Sequence, residues 1–269
     1  MRPYFNVYYE VGLCARMTQE PPATGTPSPG HGAPQVPPGE GPVLPGEGRT
    51  DYERYMKVDA LLALQKPIPS LVHHDELLFQ TVHQTFELWA RQILFEIETA
   101  GELLARDRLL EAVRLFERAT MAVRVVREQL HVLNTMNPWD FHEVRRHLGR
   151  GSGAESPGFQ NLLKHAPRLW RPFADVLARR NVSLEDVYVH AARHPDLYRM
   201  AEAMTDFDEF FSLWRQDHLG LVKRQIGRDV KSLKGYAVHA LEKDVQAALF
   251  PELWAVRNRL TELAGTSPE

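Results

Sequence analysis

The sequence has almost no cysteine. Its 269 residues include only Cys14, which excludes an internal disulfide and a CxxC-type zinc or iron–sulfur site. Such low usage is typical of a reducing compartment. The N-terminal residues lack the apolar core of a signal peptide. We therefore expect a cytoplasmic protein.

Long apolar runs and a strong charge of one sign are also missing. No run approaches the roughly 18 residues of a membrane span, so no membrane association is predicted. The net charge of −3, with His counted as neutral, gives no electrostatic reason to expect a nucleic-acid partner. The sequence contains no Gly-rich phosphate loop, GxSxG elbow or HExxH motif. These absences exclude the commonest nucleotide-binding, serine-hydrolase and zinc-protease motifs.

The first part of the chain is rich in proline and glycine. Residues 18–49 contain almost no large apolar side chain and cannot bury a core. After residue 49, apolar residues return at helical spacing. We predict a disordered N-terminal extension over residues 1–49 and a single helical domain over residues 50–269.

Helical periodicity dominates the predicted domain. A buried stripe is predicted on a helix from about residue 74 to 106; its residues are Leu78, Val82, Phe86, Trp89 and Ile93. Other long helices are predicted over residues 51–65, 108–135, 196–227 and 240–263, with shorter ones between 138 and 193. Asn137 and Pro138 are suited to the N-cap and first turn of one of these. No run alternates as a strand does, so the fold class is all-α.

The segment "HHDELLFQTVHQTFELW", residues 73–89, places polar groups within an apolar helix. Phe79 and His83 are four residues apart and share a helix face. His218 is predicted on another helix, and two such histidines can flank a planar cofactor or bind a metal. Each histidine alone also fits a hydrogen-bonded interior or surface role. Phe141 and Arg145 repeat the spacing, and Arg145 is either an inward carboxylate clamp or a surface arginine.

The "HHDE" run resembles a metal-binding cluster in composition only. Adjacent helical residues point about 100° apart, so these side chains cannot converge on one ion. Asp75 and Glu76 instead favour the positive end of a helix dipole. We interpret this run as the start of a helix.

Taken together, seven segments resemble the tryptophan 2,3-dioxygenase family in chain order from Tyr52 to about Leu263. They are "YERYMKVDALLALQKP", "HDELLFQTVHQTFELW", "EQLHVLNTM", "DFHEVRRHLG", "GFQ", "DHLGLVKRQIG" and "FPELWAVRNRL". The resemblance implies an all-α helical bundle, non-covalent haem b, dioxygen, and an aromatic amino-acid substrate. It also implies a homotetramer built as a dimer of dimers.

The resemblance also implies roles for individual residues. His218 matches the proximal haem-iron ligand, and His83 matches the distal, catalytic histidine near the substrate. Phe79 matches an aromatic that packs on the indole ring. Arg145 matches the arginine that binds the substrate carboxylate, and Phe141 matches the neighbouring aromatic position.

Two N-terminal tyrosines complete the match. Tyr52 and Tyr55 correspond to family tyrosines that reach into the substrate pocket of a neighbouring subunit. The resemblance therefore predicts a haem-dependent oxygenase that oxidises the indole ring of L-tryptophan or a derivative and forms an N-formylkynurenine-like product.

The sequence departs from the family at two places. Ser232 stands at the position of a substrate-contacting threonine, but the glycines after it are replaced by Leu233 and Lys234, which reduces backbone freedom. "GSGAESPGFQ" is longer than the family's Ser-Ser-Gly-Phe-Gln. Relatives with altered loops suggest an alternative in secondary metabolism, a mono-oxygenase that forms a 2-oxindole from a (β-methyl)tryptophan or hydroxylates tyrosine. A non-catalytic haem-binding protein and a haem-free scaffold also remain open.

Overall fold

A computed structural model of the protein describes residues 41–231, 233, 235, 245 and 247–265. These residues divide into two units, with the division between Asp59 and Ala60. Most of the predicted disordered extension, residues 1–40, lies outside the described residues. That prediction stays a prediction.

The unit before Ala60 contains the short helix α1, Asp51–Met56. Thr50 and Glu53 form a reciprocal capping box at its start, which satisfies two backbone N–H groups that a helix N-terminus leaves free. Lys57 ends the helix in the left-handed conformation, with φ of 51°. The predicted continuous helix over residues 51–65 is therefore wrong, because the chain turns at Lys57 before the next helix begins.

The remaining helices follow in chain order with short connections. They are α2 (Val58–Leu62), α3 (Asp75–Ala105), α4 (Leu109–Leu133), α5 (Pro138–Arg146), α6 (Pro157–His165), α7 (Trp170–Arg180), α8 (Leu184–Val189), α9 (Pro195–Ile226) and α10 (Pro251–Leu263). Short 3₁₀ turns occupy Ile68–Ser70, Gly153–Glu155 and Ala166–Leu169. The described residues contain no β-strand, and the predicted all-α fold class is confirmed. None of the described helices is long and apolar enough to cross a membrane.

The three long helices α3, α4 and α9 pack together and form the centre of the core. Their largest fully buried side chains include Ile93, Ile97, Phe116, Phe207 and Phe211. Of the predicted α3 stripe, Val82 and Ile93 are buried, and Leu78, Phe86 and Trp89 are partly buried against the core. Close packing of this kind makes α3 and α9 rigid supports for the side chains that they carry.

A buried carboxylate attaches the start of α10 to α9. Asp208 is 1% exposed and accepts hydrogen bonds from the backbone N–H groups of Leu249 and Phe250 and from Trp254 Nε1. Arg215 Nη2 donates to Ala247 O at 2.7 Å. Multiple donors are the usual way to stabilise a buried carboxylate. Residues 247–254 are thereby fixed on α9 about one to three turns before His218.

Candidate active site

Helices α3 and α5 bring three of the predicted site residues together. On α3, the rings of Phe79 and His83 are 4.1 Å apart between centroids, as the four-residue spacing requires. On α5, the Phe141 ring lies 5.8 Å from that of Phe79. Asn137 caps this helix through Trp139 N at 3.0 Å, as predicted. Two phenyl rings and one imidazole therefore line one region between the two helices.

The hydrogen bond of His83 fixes how its two nitrogens are used. Nδ1 lies 2.7 Å from Phe79 O. A carbonyl oxygen only accepts, so in the neutral ring Nδ1 carries the proton and Nε2 keeps its lone pair. Burial lowers the pKa of His83 below 6.5, against the smaller opposing effects of the Phe79 carbonyl and Glu87. A neutral ring with Nε2 as acceptor is the state at neutral pH.

His83 nevertheless retains an exposed surface. A ring that borders an open recess is reached by solvent on one side while protein surrounds it on the others. Desolvation by that surrounding protein is the larger influence on its pKa. Part of the His83 side chain is therefore accessible from outside the protein.

His218 ends a column of aromatic rings along one face of α9. The rings of Phe207, Phe211, Trp214 and His218 are nearly parallel, with angles of 2°, 10° and 11° between successive planes. The last step, from Trp214 to His218, spans 5.4 Å between centroids. Phe86 of α3 also stacks on Trp214 at 4.8 Å. Ring packing from two helices thus restricts the orientation of the His218 imidazole.

The chemistry of His218 suits a metal ligand. Burial lowers its pKa to about 4, with a further lowering by the charge of His83, so the ring is neutral and its nitrogen lone pair is available. None of the residues in the described ranges forms a hydrogen bond with either ring nitrogen of His218. A neutral imidazole without a partner fits the single protein ligand that a haem iron requires.

The absence of a side chain at Gly153 adds space beside this ligand. A Cβ at Gly153 would lie 3.7 Å from both Cε1 and Nε2 of His218. Within the described ranges, no three or more His, Cys, Asp or Glu side chains are arranged to hold a metal ion. The neutral imidazole of His218 and the space at Gly153 are compatible with a cofactor metal bound by this one side chain.

Arg145 lies one turn beyond Phe141 on α5 and is half-buried. Its Nη2 donates to Lys231 O at 3.1 Å, so the guanidinium reaches the chain just after α9. Ser232, the next predicted site residue, lies outside the described residues. Tyr52 and Tyr55 lie on α1 and are 63% and 75% exposed.

Sequence reasoning missed Glu87, which supports the segment beside His218. Glu87 accepts hydrogen bonds from Ser156 Oγ and from Gly158 N, the latter at 2.9 Å. Its position four residues after His83 was a usable signal, since both must share a face of α3. The closeness of Gly153 to His218 had no signal in the sequence, because it joins elements 65 positions apart.

Comparison with known proteins gives a consistent result. A sequence model described as "Tryptophan 2,3-dioxygenase" matches residues 40–165. The chain is 32% identical to the tryptophan 2,3-dioxygenase of Saccharopolyspora erythraea, over 78% of this chain and 92% of that protein. It is 31% identical to that of Erythrobacter litoralis, over 78% and 98%, and 29% identical to that of Serratia proteamaculans, over 79% and 94%.

Proposed function

The chain belongs to the tryptophan 2,3-dioxygenase family of oxidoreductases, and from that premise we propose that it is a haem-dependent oxygenase. It uses dioxygen to oxidise the indole ring of L-tryptophan or a tryptophan derivative, with an N-formylkynurenine-like product. The observation that supports this most directly is the pair of histidines His83, packed on Phe79 of α3, and His218, stacked on Trp214 of α9. One has an unbonded imidazole, and the other keeps one acceptor nitrogen.

His218 holds haem b without a covalent link in this proposal. Haem iron, when bound, supplies a site for binding and activating dioxygen. The low pKa of His218 keeps its ring neutral, and the stack on Trp214 keeps the ring in one orientation. Both properties would suit His218 to hold the haem iron through a ring nitrogen.

The substrate indole is placed by α3 and α5. His83 Nε2 accepts the indole N–H, since its Nδ1 proton is already donated to Phe79 O. Phe79 and Phe141 supply apolar surface for the ring and exclude water from one side of it. His83 thus orients the substrate by a hydrogen bond and does not need to remove a proton.

Arg145 binds the substrate carboxylate. Its guanidinium presents several N–H donors in a plane that matches a carboxylate, and among the described residues it bonds only to Lys231 O. Ser232, Tyr52 and Tyr55 are proposed as further substrate contacts. The two tyrosines would come from a neighbouring subunit of a homotetramer, and the exposure of both rings on α1 leaves them available. The proposed location is the cytoplasm.

A second candidate function is mono-oxygenation by the same site, with a 2-oxindole or a hydroxylated tyrosine as product. Two differences from the family favour it: the changed residues after Ser232, and the longer segment that brings Gly153 against His218. Insertion of one oxygen atom leaves the other to be reduced to water, so this reaction needs a two-electron donor or peroxide.

Labelled dioxygen separates the two candidates. The haem-loaded chain is incubated with tryptophan, β-methyltryptophan and tyrosine under ¹⁸O₂, with and without a reductant, and products are analysed by mass spectrometry. We expect two labelled atoms in a ring-opened product of an indole substrate. A single labelled atom, formed only with the reductant, would replace the first candidate with the second.

A further inference from the structure

We infer that the absence of a side chain at Gly153 keeps space open at the ligand-binding edge of His218. Residues 151–158 thereby determine how large a group this histidine can bind. The inference rests on the proposed role of His218 as the haem ligand. It adds a specificity-determining residue within the segment that is longer than the family's Ser-Ser-Gly-Phe-Gln.

The geometry at Gly153 is selective for this one contact. Among the described residues other than 152 and 154, the only atoms within 4 Å of a Cβ built at Gly153 are Cε1 and Nε2 of His218, each at 3.7 Å. The backbone of Gly153 has no positive φ, so the local conformation does not require glycine. A Cβ at this position would stand in ordinary van der Waals contact with the imidazole, and Nε2 belongs to the edge that must stay open for a ligand.

Segment 151–158 cannot easily move away from His218, because helix α3 holds its far end. Glu87 binds both Ser156 Oγ and Gly158 N. At Gly158 the contact with α3 is closer still, since a Cβ there would lie 2.6 Å from Ala90 Cβ. A shift of the segment would break these hydrogen bonds or separate a tightly packed contact.

The segment is also stiff within itself. Ser152 and Glu155 form a reciprocal capping box around the 3₁₀ turn Gly153–Glu155. Gln160 Nε2 donates to Ala154 O at 2.7 Å. The turn is consequently held in place, and the first carbon added at position 153 faces the His218 imidazole.

The size of the side chain introduced at position 153 should decide how much haem affinity is lost. A single methyl group fits at ordinary contact distance, so Gly153→Ala leaves the protein folded with a narrower edge at His218. A branched side chain extends beyond that distance into the space that a ligand on Nε2 needs. Overpacking of this kind is costly even where the fold tolerates it.

The test measures haem affinity by titrating the haem-free, full-length protein with haemin and recording the Soret band. Gly153→Ala should weaken binding only slightly, and Gly153→Val should weaken it by about tenfold or more. The matched control is Ala154→Val, which adds bulk at the next, exposed residue of the same turn. Thermal unfolding of each haem-free variant checks that folding is retained.

The outcomes separate this inference from the proposed function. If Gly153→Val binds haemin as tightly as Ala154→Val while wild type binds through His218, the inference is overturned and the function stands. If wild type shows no Soret band, or keeps an unchanged one after His218→Ala, the proposed function fails, and the inference fails with it.

A second variant tests whether the hydrogen bonds of Glu87 to Ser156 and Gly158 are needed for a larger residue 153 to weaken haem binding. In a Glu87→Ala background the segment is free to withdraw, so Gly153→Val should cost less haem affinity than in wild type. Equal losses in both backgrounds would overturn the role given to Glu87. The resonance Raman iron–histidine stretch provides a readout independent of activity, and we expect it to shift in Gly153→Ala.

Discussion

Two sets of polar side chains in the helical core use their polar atoms differently. On α3, Glu76, Gln80 and Gln84 follow each other at four-residue spacing, and all three bind the segment of residues 64–72. His83, next to Gln84, bonds only within its own helix and leaves Nε2 free. His218 makes no hydrogen bond to any residue that the structure describes.

The difference separates structural from functional polar groups. Gln84 accepts from Gln65 Nε2 at 2.7 Å and donates to Leu64 O at 3.2 Å, so both ends of its amide are satisfied. Buried polar groups in folded proteins are nearly always paired in this way. His83 Nε2 and the His218 ring have no such partner among the described residues. Neither side chain is fully buried, so each is available to water or to a ligand. His83 and Gln84 are adjacent on α3, so their side chains point about 100° apart and meet different surroundings.

The largest effect is expected from His218→Ala. Removal of the only proposed protein ligand should abolish the Soret band at haemin concentrations that saturate wild type. The control is His165→Ala, which removes a histidine that pairs with Glu98 at the surface of α6. A Soret titration decides it, and an unchanged curve for His218→Ala would exclude this histidine as the ligand.

A smaller effect is expected from His83→Ala. Loss of the acceptor for the indole N–H should lower kcat/KM for the indole substrate by about 10- to 100-fold, with little change in thermal stability. The matched probe is 1-methyltryptophan, which has no N–H to donate. Turnover of that compound should be equally slow in wild type and variant, and a further loss in the variant would contradict the hydrogen-bonding role.

The same residue predicts a pH dependence. Because the pKa of His83 lies below 6.5, Nε2 remains an acceptor until the pH falls below 6.5, and it becomes a donor as the pH falls through that pKa. The acidic limb of kcat/KM should therefore lie below pH 6.5. If the acidic limb of kcat/KM lay at or above pH 6.5 and disappeared in His83→Ala, the predicted stabilisation of the neutral His83 ring would be contradicted.

In the structural set, Lys66→Met should have the largest effect. Glu76 is 6% exposed and accepts from Lys66 Nζ at 2.9 Å, so the variant leaves a buried carboxylate without its cation. We expect the free energy of unfolding to fall by about 1–3 kcal/mol. Denaturant unfolding measures it, with Lys164→Met on the exposed surface of α6 as control.

The pH dependence of this loss has a definite sign. Burial raises the pKa of Glu76, but the Val72 N–H and Lys66 outweigh it and lower the pKa below 4.5. The ion pair thus stabilises the fold above the unfolded-state pKa and loses its contribution as the pH falls through the folded-state pKa. The difference between wild type and Lys66→Met should narrow in acid, and a constant difference would contradict the charge-based explanation.

Gln84→Ala should give the smallest effect and the clearest contrast. Leu64 and Gln65 lose their partner, which should lower the free energy of unfolding by about 1 kcal/mol. kcat/KM should stay within about twofold of wild type. Gln84→Ala should therefore lower stability and spare activity, whereas His83→Ala should lower activity and spare stability. If Gln84→Ala instead lost activity without losing stability, its structural role would be contradicted.

The sequence by itself determined the helical architecture. Apolar spacing located α3, α4 and α9 to within about two residues, because long periodic stripes leave few alternatives. Asn137 and Pro138 marked the start of α5 through local capping chemistry that needs no tertiary contact. Spacing alone likewise put Phe79 and His83 on one face. The break at Lys57 was not predicted, since a single left-handed residue leaves the apolar pattern unchanged.

Only the tertiary structure decided which polar residues are satisfied. Gln84 and His83 are equally polar in the sequence, yet residues 64–72 pair with the first and leave the second with a free nitrogen. The approach of Gly153 to His218 and the hold of Glu87 on Ser156 depend on how α3, α6 and α9 pack. The physical reason is that periodicity fixes the face of a helix, whereas hydrogen-bond partners and close contacts come from elements distant in sequence.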